Sequence, residues 1–205
     1  MEFTHLHVHT EYSLLDGSNK IKEYVARVKE LGMDSGVMYG VIDFYRAARA
    51  EGINPILGCE VYVAPGSRFD REAGNGEDRY YHLVLLAENN QGYANLMKIV
   101  SKGFTEGFYY KPRVDLEVLR EYHEGIIALS ACLAGEVARY LQRGMYEDAK
   151  AAALRYQDIF GKGNFFLELQ DHGIPAQQVV NPELLRMHEE TGIDLVATND
   201  VHYTM

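Results

Sequence analysis

Short runs of apolar residues alternate along the chain with stretches in which apolar residues recur every three or four positions. The first pattern predicts strands and the second predicts amphipathic helices. Strands are predicted over residues 3–9, 54–63, 80–87, 125–130, 164–169 and 193–198, and helices over 19–32, 40–51, 90–103, 134–142, 146–160 and 176–191. Residues 64–79 are predicted to form an exposed loop. Alternating strands and helices favour an α/β fold with a parallel sheet, and a closed barrel is typical at this length.

The first predicted strand carries three of the eight histidines, in the segment HLHVHT. Alternate residues of a strand share a face, so His5, His7 and His9 point one way while Leu6 and Val8 point the other. A strand with imidazoles along one face needs a chemical explanation.

Composition and charge narrow the class of protein. The chain has 205 residues, 47% of them hydrophobic, which is enough for the core of a single domain. A net charge of −10 argues against a chain that grips nucleic acid unaided, since such binding neutralises phosphates, but acids with histidines suit the binding of cations. Two cysteines, no apolar run long enough to span a membrane and no signal segment lead us to expect a cytoplasmic protein without a disulfide framework.

Further carboxylates, imidazoles and a thiol lie near the ends of predicted strands. Asp200 and His202 share a face at the carboxyl end of the last strand, Glu60 lies on one face of its strand, and Cys132 follows another. Such groups at carboxyl strand ends are typical of a barrel site, and they suit Zn²⁺ or Mn²⁺ better than Ca²⁺. His82 fits this rule least well because it begins its strand. A packed role for His82 or Cys132 remains an alternative, and His123, His172 and His188 are interpreted as non-ligands.

The alternation fails at one point. The helix ending near Ser35 is followed, after GVMYG, by another helix with no strand between them. A βα fold needs a strand there.

The segments HLHVHTEYSLLDG, GCEVYVAPGSR, YYHLVLLAEN, GFYYKPRVD and LVATNDVHY resemble the PHP (polymerase and histidinol phosphatase) family. More narrowly, they resemble the amino-terminal PHP domain of bacterial DNA polymerase III alpha subunits, over essentially the whole chain. The resemblance implies a distorted (β/α)7 barrel, a single domain over residues 1–205, and up to three divalent ions, Zn²⁺ or Mn²⁺ with Mg²⁺ as an alternative. It also implies a piece of a longer polymerase subunit.

Matching the family's motifs to this sequence assigns the metal ligands residue by residue. The resemblance implies eight, namely His7, His9, Asp16, Glu60 (a bridging carboxylate), His82, Cys132, Asp200 and His202. His5 matches a position that often holds Asp and is expected to support the ligands. Family members also carry a strand ending in Thr-Asp-His between the equivalents of Ser35 and Gly36. Either the printed sequence omits that strand, which we favour because its loss would open two sheet edges, or the protein lacks it. The first explanation predicts that Ser35 and Gly36 are not joined by an ordinary peptide bond.

Clustered divalent ions favour phosphoester hydrolysis, and the resemblance implies 3′–5′ removal of nucleotides from a DNA primer end. Lys111 and Arg113 are candidate phosphate contacts, with two solvated loop cations as the alternative. The expected partners are the primer terminus and the rest of the polymerase subunit, and no membrane. Two other functions stay open: a catalytically inactive scaffold that docks a separate proofreading exonuclease, and a free-standing small-molecule phosphatase.

Overall fold

The computed structural model describes residues 6–7, 38–71 and 79–200. After a 3₁₀ turn at Met38–Gly40, the elements in chain order are α1 (Val41–Ala50), β1 (Gly58–Val63), β2 (Tyr81–Ala87), α2 (Asn90–Thr105), β3 (Phe108–Tyr109), β4 (Lys111–Val114), α3 (Leu116–Glu121), β5 (Ile126–Leu129), α4 (Glu136–Gln142), α5 (Tyr146–Phe160), β6 (Phe165–Leu169), α6 (Pro175–Thr191) and β7 (Leu195–Ala197). The α/β class is confirmed, and most predicted elements in the described ranges appear within a few residues of their expected bounds.

Helix ends follow from local side-chain chemistry. The carboxamide of Asn89 accepts a hydrogen bond from Gly92 N at 3.0 Å and starts α2. The carboxylate of Asp115 does the same for α3 through Val118 N at 3.1 Å. Helix α6 begins at a proline and ends at Gly192 in the left-handed conformation, which glycine adopts at little cost.

The strands form one seven-stranded sheet within the described residues, in the order β3-β4-β1-β2-β5-β6-β7. Strand β2 runs antiparallel to both of its neighbours, β1 and β5, whereas β1 pairs with β4, β5 with β6, and β6 with β7 in parallel. The expected parallel sheet is therefore corrected to a mixed one, since β2 runs against β1 and β5, and β3 runs against β4. The fold agrees with a distorted barrel whose sheet is mixed.

The two faces of the sheet carry different cores. One face packs against the helices through a cluster that includes Val61, Leu83, Leu85 and Phe165. The opposite face carries a smaller apolar cluster of Val84, Leu86, Leu129 and Ala131, joined by the partly buried Leu6. Glu60 and His82 lie on this second face, because Glu60 pairs with Val84 and His82 is two residues before it.

The hairpin of β3 and β4 and the helix α3 are not predicted from the sequence. The two strands have two and four residues, too few to show an alternating pattern. Tyr109 pairs with Lys111, so Tyr110 alone makes the turn, with a φ of 62°.

No helix in the described ranges is long and apolar enough to cross a membrane. The predicted helix over 19–32, most of the predicted strand over 3–9 and the junction of Ser35 with Gly36 lie outside the described residues. The prediction about that junction therefore stays a prediction.

Candidate metal centre

The antiparallel direction of β2 resolves the position of His82. Because β2 runs against β1 and β5, its first residues lie at the same sheet edge as the end of β5. The backbone N–H of His82 donates to the carbonyl of Ala134 at 3.1 Å, which ties the start of β2 to the segment that follows β5. His82 thus reaches the same edge as ligands that end their strands.

Glu60, His82 and Cys132 meet at this edge. His82 Nδ1 lies 3.1 Å from Glu60 Oε1 and 3.8 Å from Cys132 Sγ. One ligand atom from each of these residues lies within 4.8 Å of the others, although the three are far apart in the sequence.

Unusual backbone geometry places Cys132. Ala131 has a φ of 63°, in the left-handed region that non-glycine residues rarely adopt. A Cβ on Gly135 would lie 2.1 Å from the carbonyl oxygen of Ser130, so only glycine fits that turn. Backbone strain of this kind clusters at functional sites, because the surrounding fold has to maintain it.

His7 lies beside this group and is 1% exposed. Its Nε2 is 3.0 Å from Glu60 Oε2 and 3.3 Å from Asp200 Oδ1, and its Nδ1 is 2.8 Å from Glu168 Oε1. The two oxygens of Glu60 therefore face two different histidines.

The ionisation of these groups is strongly coupled to burial and to their partners. Burial by itself would lower the pKa of His7 and His82, but neighbouring groups outweigh it, chiefly Glu168 for His7 and the hydrogen bonds with Cys132 and Glu60 for His82. The pKa of His7 is thereby raised well above its ordinary value, and that of His82 is raised to about 10. Burial would raise the pKa of Glu60, yet hydrogen bonds from both histidines lower it well below the usual range. Glu60 is therefore a carboxylate, the form that binds cations.

Glu168 is a functional candidate that the sequence analysis missed. It is 3% exposed, and besides His7 its Oε1 accepts hydrogen bonds from the Thr198 hydroxyl and from Gln170 Nε2 at 3.0 Å. Its backbone N–H donates to Ser130 Oγ at 2.8 Å. One signal was available, since Glu168 is the only charged residue of the strand FFLEL. A carboxylate that hydrogen-bonds to one ring nitrogen of a metal-binding histidine orients the other ring nitrogen toward the metal ion.

The two cysteines have different environments. Cys59 points to the helix-covered face, and burial, followed by the charge of Glu60, raises its pKa to about 12, so it is a neutral core thiol. Cys132, in contrast, faces His82.

The donor set fits a divalent ion. Imidazole, carboxylate and a thiol together are the ligands that Zn²⁺ takes in proteins, and the thiol disfavours Mg²⁺. Of the eight expected ligands, the structure brings together His7, Glu60, His82, Cys132 and Asp200. His9, Asp16 and His202, and also His5, lie outside the described residues.

The two candidate phosphate contacts differ in position. Lys111 is partly buried, and its Nζ lies 5.2 Å from the ring centre of Tyr62, which is itself packed on His82. Arg113 is 0% exposed, and its guanidinium donates to the backbone carbonyls of Asp70, Gly107, Arg68 and Arg79. Its donors therefore hold the loop before β2 against β4, and the expectation that Arg113 contacts a phosphate stays a prediction.

The family model described as "PHP domain" matches residues 5–172. The DNA polymerase III subunit alpha of Treponema pallidum is 48% identical over 99% of this chain, and that of Deinococcus radiodurans is 48% identical over 98%. This chain spans 18% and 16% of the length of these two relatives.

Two solved structures share the fold at low sequence identity. A protein from Bifidobacterium adolescentis named as a metal-dependent phosphoesterase matches with a TM-score of 0.60 and 11% identity, over 98% of this chain and 88% of its own. An amidohydrolase from Chromobacterium violaceum matches with a TM-score of 0.61 and 14% identity, over 97% and 87%. These likenesses show the fold alone.

Proposed function

This chain belongs to the PHP domain family, and from that premise we propose that it is a metal-dependent phosphoesterase. We propose further that it serves as the PHP domain of a DNA polymerase III alpha subunit in the cytoplasm and removes nucleotides from the 3′ end of a DNA primer. The observation that carries the proposal is the convergence of His7, Glu60, His82, Cys132 and Asp200, residues from five separate parts of the sequence, at one edge of the sheet.

The residues at this edge of the sheet have different roles, which depend on their positions. Divalent ions held there would activate water and neutralise the charge that builds on the oxygens of a phosphate ester. Glu60 positions His7 and His82 through its two carboxylate oxygens. Glu168 fixes the orientation of the His7 ring. Lys111 holds a phosphate of the substrate beside this centre, because its ammonium lies over the ring of Tyr62 next to His82.

The substrate and the metals follow from the relatives and the donor set. The relatives are named as DNA polymerase subunits, so a DNA strand end is the proposed substrate. The thiol of Cys132 and the imidazoles favour Zn²⁺, with Mn²⁺ as the second candidate. The rest of the polymerase alpha subunit would be the partner that presents the primer end.

The test measures bound metal and primer hydrolysis together. The purified chain is loaded with Zn²⁺ or Mn²⁺, its metal content is determined, and release of nucleotides from a 3′-labelled primer is followed. Glu60→Gln and Asp200→Ala are expected to lower both metal content and hydrolysis. His123→Ala is the matched control, because His123 is an exposed histidine whose ring bonds to the nearby carbonyl of Arg120.

Two results would contradict the proposal. Hydrolysis that Glu60→Gln leaves unchanged would identify a contaminating nuclease. An unchanged chain that binds no metal would favour the inactive scaffold that docks a separate exonuclease.

A further inference from the structure

Three tyrosines and two cations form a closed series of contacts beside the metal centre. The rings of Tyr62 and Tyr80 meet edge to face at 4.9 Å, and both pack on His82, at 5.2 Å and 6.0 Å. Arg79 precedes Tyr80 and lies 4.3 Å over the ring of Tyr110. Lys111 follows Tyr110 and returns to the ring of Tyr62 at 5.2 Å. We call Tyr62, Tyr80, Tyr110, Arg79 and Lys111 the tyrosine platform.

Tyr110 is held outward at the tip of the platform. Its side chain is 65% exposed, and its φ of 62° is one that a bulky residue adopts only under constraint. The β3–β4 pairing imposes this conformation, since Tyr109 and Lys111 are paired directly across the turn. An exposed aromatic in a strained turn next to a candidate active site is a functional signal, because nothing in the core requires it.

The platform also carries two cations, Arg79 and Lys111, on a chain whose 30 acidic residues outnumber its 20 basic ones. Each cation lies against an aromatic ring, an arrangement that orders a long side chain at low cost. An anionic ligand with flat groups would find both kinds of contact within a few residues of His82.

We propose that the tyrosine platform binds the unpaired end of a DNA strand and guides it to the metal centre. Tyr110 stacks a base, Tyr62 and Tyr80 bound the path to His82, and Lys111 and Arg79 contact the phosphates. This inference rests on the proposed function and adds to it a selection for single-stranded over double-stranded DNA.

The physical basis of that selection is the accessibility of the base faces. In a duplex each base is stacked between its neighbours, so its faces cannot reach a protein ring. In a single strand the faces are free, and stacking on an aromatic side chain is worth enough to select the unpaired strand without reading its sequence. A mispaired primer end is frayed in the same way, so the platform would direct the phosphoesterase to errors.

The test separates binding from catalysis. Fluorescence anisotropy of a labelled oligodeoxythymidine is measured at low salt with EDTA present, so that no hydrolysis occurs. Tyr110→Ala is expected to weaken binding by about 5- to 150-fold, and Tyr110→Phe should retain it because the ring remains. Lys111→Ala is expected to reduce the slope of log K against log salt by about 0.7, the value for one phosphate contact on a single strand.

Phe69→Ala is the matched control. Phe69 is 55% exposed, and its ring centre lies 4.4 Å from the guanidinium of Arg68, so the two form a second aromatic–arginine pair. Among the contacts described, Phe69 does not touch the platform. The Phe69→Ala variant should bind single strands with the same affinity as the unchanged chain. A blunt duplex should bind more weakly than the single strand and should be insensitive to Tyr110→Ala.

Three outcomes would overturn the proposal that the platform binds unpaired DNA: no binding of single strands, equal affinity for the duplex, or equal losses of affinity in Tyr110→Ala and Phe69→Ala.

Hydrolysis of bis(p-nitrophenyl) phosphate, a small substrate that needs no stacking, is measured in parallel. If the metal-loaded chain does not hydrolyse it, the proposed function fails independently of the binding result.

Discussion

Glu168 fixes His7 from behind, and replacing it by glutamine is expected to weaken metal binding. The substitution keeps the size of the side chain but removes the charge that lies 2.8 Å from His7 Nδ1. Because both residues are almost fully buried, water cannot take the place of that charge.

The magnitude follows from the distance. Two unit charges 2.8 Å apart interact by about 6 kcal/mol at an effective dielectric constant of about 20. A bound cation places only part of a unit charge on the ring, so the loss of binding free energy is smaller than that upper value. This agrees with the roughly 10- to 100-fold loss of affinity found when such supporting carboxylates are removed.

The assay is a competition for Zn²⁺ between the chain and a chromophoric chelator. His7→Ala should abolish one step of Zn²⁺ binding in this titration, and Glu168→Gln should weaken that same step. Glu136→Gln is the control, since Glu136 is another buried glutamate, bonded to Tyr156 and Arg155 outside the centre. Glu136→Gln should lower the free energy of unfolding and leave the affinity for Zn²⁺ unchanged.

The reasoning is refuted if Glu168→Gln binds Zn²⁺ as tightly as the unchanged chain. It is also refuted if Glu136→Gln loses as much affinity, because the effect would then come from loss of stability.

Three further predictions concern the stability of the fold. Gly92→Ala should lower the free energy of unfolding by about 3 kcal/mol in chemical denaturation, since the added Cβ would lie 1.8 Å from the carbonyl oxygen of Gly125. Arg113→Met should lower the free energy of unfolding by about 1–3 kcal/mol, because the buried guanidinium no longer donates to the backbone carbonyls of Asp70 and Arg79, while single-strand binding by the folded fraction stays unchanged; a loss of that binding would support Arg113 as a phosphate contact. Hydrogen bonds from Lys150 and Arg186 lower the pKa of Glu190 to about 2, so their stabilisation is present above the ordinary value of 4.5 and lost as the pH falls toward 2. Glu190→Gln should accordingly lower the denaturant midpoint at neutral pH, and the difference from the unchanged chain should vanish near pH 2.

The local sequence determined most helices and strands between residues 81 and 197. Helix α5 was predicted with its observed bounds, because its apolar positions recur at helical spacing over 15 residues. The hairpin of β3 and β4 was missed, since its strands are too short for any periodicity and β4 is held by pairing with the distant β1. Family motifs named the candidate ligands, which periodicity alone could not distinguish from packed residues.

The direction of β2 was decided only by the tertiary structure. An alternating pattern is the same read in either direction, so the sequence could not say that His82 begins its strand at the edge where β5 ends. The same limit applies to Arg113 and Glu168. From the sequence alone, the guanidinium of Arg113 suggests a ligand contact and the carboxylate of Glu168 has no evident partner. Their partners in the structure, Asp70 and His7, lie 43 and 161 residues away along the chain. Sequence determines which groups are available and which face each occupies; only the packing of distant segments decides which groups meet, because burial and Coulomb interactions depend on distance in space.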